Sequence, residues 1–507
     1  MAKGKKKSTK KKKAAKKKPA KKKPSEEVKE EVPEEKAAEE EKEEAPEPPK
    51  PAEKPKPKPK KKVEKLEEAE TDEYVRLEYK DTFDKERAFK HVEALAFPRM
   101  AGTEGEAKAA DYIKDKFSGM GLKPVEEEFT FTNWVSKVLL RIFEGIEGGL
   151  VLGAVLLITF GTLSATHVGF IIGVILSIAL LVLTFYSSIT ARFHYKYQNT
   201  TGAFKLFEGQ EMKSKNIIAK IDCAKGKDAA SGNIILMAHY DTKSQTWPML
   251  LQALLFYISI ILCIAIPVVY IGFYILVSLG MIGGIPALTI YGVLLALALI
   301  DVATIIMLAL NKTENKSPGA IDNASGLGVF LELAQNYTKQ PLEHYNLTFV
   351  ATGAAEYGLY GAISFMKANE SELDPEDTYF LNLKVAAVRG HFYLPGPVGF
   401  PPQFPCLEVE NLFKKVLKRR NIPVKEGSRW RMRVLSPWVL PGSWNDDMIP
   451  VIRGYNANRI SIGGLRRRLD VIHTPNDNID HVDIEAVDMV GKVTAEVLTR
   501  LDLRARP

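Results

Sequence analysis

Charge is missing from two long stretches of this chain, and that absence narrows its class before any motif is read. No Asp, Glu, Lys or Arg occurs over 148–191, where His167 alone interrupts the apolar sequence. None occurs over 244–300 either, and this second run continues past a single Asp301 to Leu310. Core helices of soluble proteins rarely go so far without charge, whereas a bilayer-spanning helix needs about 20 apolar residues. Each stretch has room for two spans and a tight turn. The first turn falls at Ser164-Ala165-Thr166-His167; the second lies among Gly280, Gly283, Gly284 and Pro286, between spans near 249–275 and 287–310. An aspartate inside a span is costly, so Asp301 either has a function or sits near a helix end beside a polar partner.

Cysteine is scarce too. Cys223, Cys263 and Cys406 are three, odd in number and far apart, which excludes a disulfide framework and a CxxC metal or redox motif and fits a reducing compartment. Acidic residues are absent from positions 1–24, which hold about fourteen lysines and almost nothing apolar. No apolar run follows them as a signal peptide would require. A glutamate-rich block then covers 25–48, and proline alternates with lysine over 49–63. Such composition cannot bury a core, so 1–70 is expected to be a disordered charged tail ending in a stiff spacer. Its lysines suit anionic lipid, the neighbouring glutamates or, without base stacking for want of aromatics, nucleic acid. The net charge of +8 comes from this block and says little about the folded part.

The rest of the chain alternates helix and strand patterns. Helices are expected near 84–95, with Phe89, Val92 and Ala96 at helical spacing, and over 106–120, closed by Gly121; strands are expected over 125–131, 216–221, 233–237 and 346–352. A helix opens at Asp322 and runs through Asn336. Alternation of this kind predicts a three-layer α/β domain with a mostly parallel central sheet, interrupted by the apolar stretches. The expected order is 71–143, first part of the domain; 144–191, hairpin 1; 192–246, domain continued; 247–311, hairpin 2; 312–507, the remainder. The polar motifs lie before, between and after the hairpins and must share one aqueous side to form one site. Each insertion therefore contains an even number of spans, giving four helices in two hairpins. Lys137, Arg141, Arg192, Lys196 and Lys243 flank the hairpins while their turns carry no Lys or Arg, so the positive-inside rule puts the soluble domain and the N-terminus on the cytoplasmic side of a multi-pass membrane protein.

Four ligand-type residues stand at strand ends or in tight loops. His239 and Asp241 follow a strand; in such a pair the histidine can bind a metal while the aspartate fixes its ring. Asp322 sits in Gly319-Ala320-Ile321-Asp322-Asn323-Ala324-Ser325-Gly326, Glu356 follows the next strand before Gly358-Leu359-Tyr360-Gly361, and His473 lies in Asp470-Val471-Ile472-His473-Thr474-Pro475. Each alone reads as an ordinary loop residue or helix cap. Together they form a nitrogen and oxygen set suited to zinc.

In this order and context the chain resembles the co-catalytic zinc aminopeptidase superfamily, whose relatives include secreted bacterial aminopeptidases, glutamate carboxypeptidase, the transferrin receptor and glutaminyl cyclase. The likeness covers about 80–133, 193–246 and 316–503, and the opening Phe97-Pro98-Arg99-Met100-Ala101-Gly102-Thr103 shares it. The resemblance implies His239 on one zinc, Asp322 as the bridging carboxylate, Glu356 and His473 on the other zinc, and Asp241 orienting His239. It also exposes two departures. The family expects a glutamate, the general base, where Ala355 stands, and a ligand aspartate where Lys384 follows Asn382-Leu383. The segment Ser443-Trp444-Asn445-Asp446-Asp447 matches its family counterpart only partly. Arg466, Arg467 and Arg468 fall in the loop that borders the substrate pocket in the family, facing an anionic substrate, anionic lipid or solvent. A positioned base is worth about 10²–10⁴-fold, and an ammonium at Lys384 repels a metal. The expectation is therefore zero or one zinc, weak or no aminopeptidase turnover, and a role in binding a peptide or protein partner. The alternative is an active single-zinc hydrolase or cyclase acting on peptide ends.

Overall fold

The computed structural model describes residues 81–132, 140–163, 168, 171–179, 182, 211–397, 403–426, 445–463 and 470–504. The charged tail and the Arg466, Arg467 and Arg468 triplet lie outside them.

Strands β1 (Val125–Thr132), β2 (Glu211–Ile221) and β3 (Gly232–His239) enter a six-stranded sheet with β6 (Tyr345–Thr352), β7 (Thr378–Leu383) and β10 (Asn456–Ile460), in the order β1-β2-β6-β3-β7-β10. The pairs β6–β3, β3–β7 and β7–β10 are parallel; β1–β2 and β2–β6 are antiparallel. Alternation along each strand sends neighbouring side chains to opposite faces. Ile234, Leu236 and Ala238 of β3 join Leu347 and Phe349 of β6 in one core; Ile235 and Met237 join Val350 and Phe380 in the other. The first core is covered by α1 (Lys85–Leu95), α2 (Glu104–Gly119), α6 (Ser325–Lys339) and α10 (Ile484–Arg504), the second by α7 (Tyr360–Asn369) and α9 (Met448–Arg453). Phe117, Phe330 and Phe349 pack ring to ring at 5.3–6.4 Å in the first. Asp84 caps α1 by accepting from the Arg87 N–H at 2.9 Å.

Two helices, α4 (Met249–Ser278) and α5 (Gly284–Ala309), are long and apolar enough to cross a membrane. Their outer faces leave Leu254, Ile261, Val268, Leu288, Leu299 and Ile306 exposed. α3 (Leu140–Leu163) packs Val151 and Val155 against Tyr270, Leu294 and Ala298 of this pair. The sequence implies four spans; among the described residues two helices reach that length and apolarity. Asp301 is buried between α4 and α5, where Ser259 Oγ donates to it at 2.7 Å and Cys263 Sγ at 3.3 Å, so it has the polar partners the sequence left open. The pair is closed at its base by β4 (Ser244–Gln245) and β5 (Thr313–Glu314), which run antiparallel, and by Trp247, whose indole N–H donates to the Met307 carbonyl at 2.9 Å.

The remaining elements are β8 (Phe392–Leu394), α8 (Leu407–Arg419) and β9 (Val424–Glu426). At the end of α8, Arg419 and Arg420 both pair with Glu496, buried in α10.

Candidate metal centre

Because β3, β6 and β7 are parallel neighbours, their carboxyl ends open on one edge of the sheet, where such folds place ligands. His239 is the last residue of β3, Glu356 lies in the Ala355–Tyr357 turn just after β6, and Lys384 follows the last residue of β7. Asp322 comes from the turn ahead of α6. The sequence pattern puts it at the helix start, but Asp322 (φ −118°, ψ 89°) and Asn323 (φ −136°, ψ 31°) are not helical, and α6 begins at Ser325. That kink lets Asn323 donate from Nδ2 to the carbonyls of His239 (3.3 Å) and Leu383 (3.0 Å), tying the ends of β3 and β7 together. Gly326 permits it, since a Cβ there would sit 2.3 Å from Asn323 Oδ1 and 2.6 Å from the Lys384 carbonyl. His473 completes the group from a turn where it holds a left-handed backbone (φ 60°), a conformation non-glycine residues adopt at a cost and often at functional positions.

The four ligand-type side chains converge. His239 Nε2 lies 3.1 Å from Asp322 Oδ1. His473 Nε2 lies 3.3 Å from Glu356 Oε2 and 3.6 Å from Asp322 Oδ2. A tetrahedral zinc with bonds of about 2.0–2.1 Å sets its ligand atoms about 3.3 Å apart, so the spacings of His473 to Glu356 and to Asp322 fit one zinc. The other half of the group is different. Lys384 Nζ is 3.1 Å from His239 Nε2 and 3.3 Å from Asp322 Oδ1, with Glu356 Oε1 at 4.0 Å. An ammonium thus stands among the donors on the His239 side, and that set does not fit a second zinc. His239, Asp322 and Glu356 also offer donor atoms within 4.8 Å of one another, but the Lys384 ammonium already stands among this trio.

A second lysine closes the far side. Lys243 Nζ is 3.0 Å from Glu356 Oε2 and donates to the Glu356 carbonyl at 3.2 Å. Burial pushes both carboxyls up, yet Lys384 and the His239 hydrogen bond bring Asp322 below the usual carboxylate range, and His473 and Lys243 do so for Glu356. Burial lowers the Lys384 ammonium, and Asp322 and Glu356 more than reverse it. The centre therefore balances its own charge.

Around it lies a layer of buried polar groups. The Asp241 carboxylate is 3.7 Å from His239 Nδ1 and accepts from the backbone N–H of Ala355 (3.0 Å) and Glu356 (2.9 Å); the ring nitrogen is 3.2 Å from the Asp241 main-chain carbonyl. Ala355 thus meets this network through its main chain, and its side chain offers no proton acceptor. Asp477 accepts from the Ile321 N–H (2.6 Å) and the Asp322 N–H (3.3 Å), and burial pushes it up to about 8. Burial, with Asp241 nearby, raises Glu106 to about 7. Asp446 is raised by burial to about 6; one oxygen accepts from Thr352 Oγ1 at 2.9 Å and the other has no partner. Thr352 pairs with His239 across β6 and β3, so Asp446 stands beside the centre.

Sequence reasoning misses Arg99, Lys243, Gln245, Asp446 and Asp477 as parts of the centre. Asp477, four residues past His473, is within reach of the motif; Lys243 reads as a flanking charge and Arg99 as one letter of the opening segment. Their contacts are long-range, and no local pattern announces them.

Residues 302–498 match the model of peptidase family M28. Over this span, about two fifths of its length, the chain is similar to that family. No curated protein matches. Among solved structures the chain is similar to LapB from Legionella pneumophila (14% identity, 83% of this chain and 73% of that chain, TM-score 0.44). It is also similar to the Bacillus subtilis zinc aminopeptidase BSAP (13%, 83% and 96%, 0.43) and to a Bacteroides thetaiotaomicron glutaminyl cyclase (13%, 83% and 99%, 0.42).

Proposed function

We propose that this chain is an integral-membrane M28-type metallopeptidase-like protein that has lost ordinary aminopeptidase turnover and acts by binding a peptide or protein partner. The observation that carries the reading is Lys384, whose ammonium lies 3.1 Å from His239 Nε2 and 3.3 Å from Asp322 Oδ1, beside a base position occupied by Ala355. One zinc at most is held, by Asp322, Glu356 and His473. Zinc bound there would polarise a carbonyl or lower the pKa of a water; Asp241 keeps the Glu356 turn in place, and Lys243 orients the Glu356 carboxylate. The anchor is four spans in two hairpins with the soluble domain and N-terminus cytoplasmic. The lysine tail contacts anionic lipid or nucleic acid, and Arg466, Arg467 and Arg468 face an anionic ligand.

A second reading is an active single-zinc hydrolase or cyclase working on peptide ends. Asp446 favours it: a buried carboxyl with a free oxygen, at about 6, is suited to proton transfer near neutral pH.

Zinc per chain, wild type against His473→Ala, tests the centre. The reading expects about one zinc at the three-donor site, lost in the variant; two zincs in the wild type would overturn it, and none would leave a vestigial site and a purely binding role. Topology is read by placing a cysteine in the first turn, Thr166→Cys. A membrane-impermeant maleimide should reach it from the non-cytoplasmic side; labelling confined to the cytoplasmic side would defeat the four-span arrangement.

A further inference from the structure

We propose that Gln245 is the positioning residue for His473, and that Gln252 in the first turn of α4 holds Gln245 in place, so that the apolar hairpin and the candidate zinc ligand are set as one unit. The inference rests on the reading of His473 as a zinc ligand.

Gln245 grips His473 twice. Its backbone N–H donates to the His473 carbonyl at 2.9 Å, and its side-chain Oε1 lies 3.3 Å from His473 Nδ1. The first contact fixes a main chain held in the left-handed region, and the second fixes the ring. Gln252 decides which end of the Gln245 amide faces the ring. It is buried, and its Nε2 donates to Gln245 Oε1 at 2.8 Å and to the Trp247 carbonyl at 2.6 Å. An amide buried in the first turn of an apolar helix is costly unless its hydrogens are bonded; both hydrogens are used here, and both bonds go to the strand that carries Gln245 and the residues just after it. With an oxygen facing Nδ1, that nitrogen carries the hydrogen, which leaves Nε2 to present its lone pair to a zinc shared with Glu356 and Asp322. This is the tautomer a zinc ligand requires, fixed by a partner behind the ring. Trp247 locks the same segment to the end of α5 through the Met307 carbonyl, and the Thr246 N–H donates to the Lys312 carbonyl. The His473 ring is therefore registered to both helices of the hairpin across a few residues.

The test uses the full chain in lipid nanodiscs, with zinc affinity measured by competition against a chelating dye. Gln245→Leu should weaken zinc binding about 10–100-fold, the usual effect of losing a partner behind a ligand, and Gln252→Leu should weaken it in the same direction. Gln245→Glu keeps an acceptor for Nδ1–H and should hold wild-type affinity or exceed it, which a merely structural role would not predict. Wild-type affinity in Gln245→Leu, or equal loss in Gln245→Glu and Gln245→Leu, would overturn the proposal. If the wild type binds no zinc, the zinc reading fails separately. The positioning claim is then decided by 15N spectra of labelled histidine, with His473 assigned by its loss in His473→Ala. The readout is Nδ1, which should carry a hydrogen in wild type and lose it in Gln245→Leu; an unchanged Nδ1 signal sinks the claim.

Discussion

Aminopeptidase turnover should rise about 10²–10⁴-fold above the wild-type baseline when Ala355→Glu and Lys384→Asp are combined, the range a positioned general base supplies. Neither change alone should do this. The introduced glutamate would supply the missing proton acceptor in a turn whose backbone is already fixed by Asp241, but with Lys384 in place an added carboxylate meets an ammonium instead of a metal-bound water. Replacing that ammonium by a carboxylate changes the local charge by two units, the charge of one divalent metal. Without zinc the same change leaves Asp322 and Glu356 facing another anion, and breaking such a buried pairing costs about 3–5 kcal/mol. The double variant should therefore bind a second zinc and lose more thermal stability on chelation than the wild type, whose lysine stands in for that second ion. Peptide-amide hydrolysis, metal content and melting with and without chelator report these separately. A folded, two-zinc double variant no more active than wild type would show that the pocket is altered beyond these two positions.

Arg99→Leu should prevent the chain from reaching its folded state. Arg99 is fully buried and donates to the carbonyls of Tyr240 (2.8 Å), Phe97 (2.9 Å), Pro318 (2.8 Å), Gly319 (3.2 Å) and Leu95. One side chain thus bonds the loop after His239 to the loop that delivers Asp322. Burial lowers its pKa to about 10, opposed by Asp477, Asp241 and Asp322, and it keeps its charge at neutral pH. Leucine would remove these donors; the Leu95 and Gly319 carbonyls keep the N–H groups of Phe97 and Ala324, and each carbonyl left unsatisfied costs about 1–3 kcal/mol. Total stability is typically about 5–15 kcal/mol, so the loss is a large share of it. Arg99→Lys should rescue little, because an ammonium has three donors and no planar fork. Detergent-extracted yield and protease resistance measure the effect; a lysine variant as resistant as wild type would show that charge alone suffices at this position.

Local patterning makes much of the fold legible. The run 233–237 is apolar on both sides because β3 is buried on both faces by helices, and Asn346 to Thr352 reads the same way for β6. The spans expected near 249–275 and 287–310 fall within a few residues of α4 and α5, since absence of charge needs no tertiary context to be seen. The start of α6 is different: the pattern sets it at Asp322, and the helix begins at Ser325. A short polar segment before an apolar period looks like a cap, and only the pull of Asn323 toward β3 and β7 unwinds it.

The sequence by itself determined the α/β domain, the order of His239, Asp322, Glu356 and His473, and the departures at Ala355 and Lys384, because strand periodicity, charge-free length and motif order are properties of neighbouring residues. Tertiary structure alone decided that Lys384 reaches His239 and Asp322, that Lys243 closes on Glu356, that Arg99 binds two loops from beneath, and that Gln252 reaches His473 through Gln245. Each of these joins residues far apart in the chain. Their meeting depends on which strands run parallel and where their ends fall, and no spacing along the chain records that.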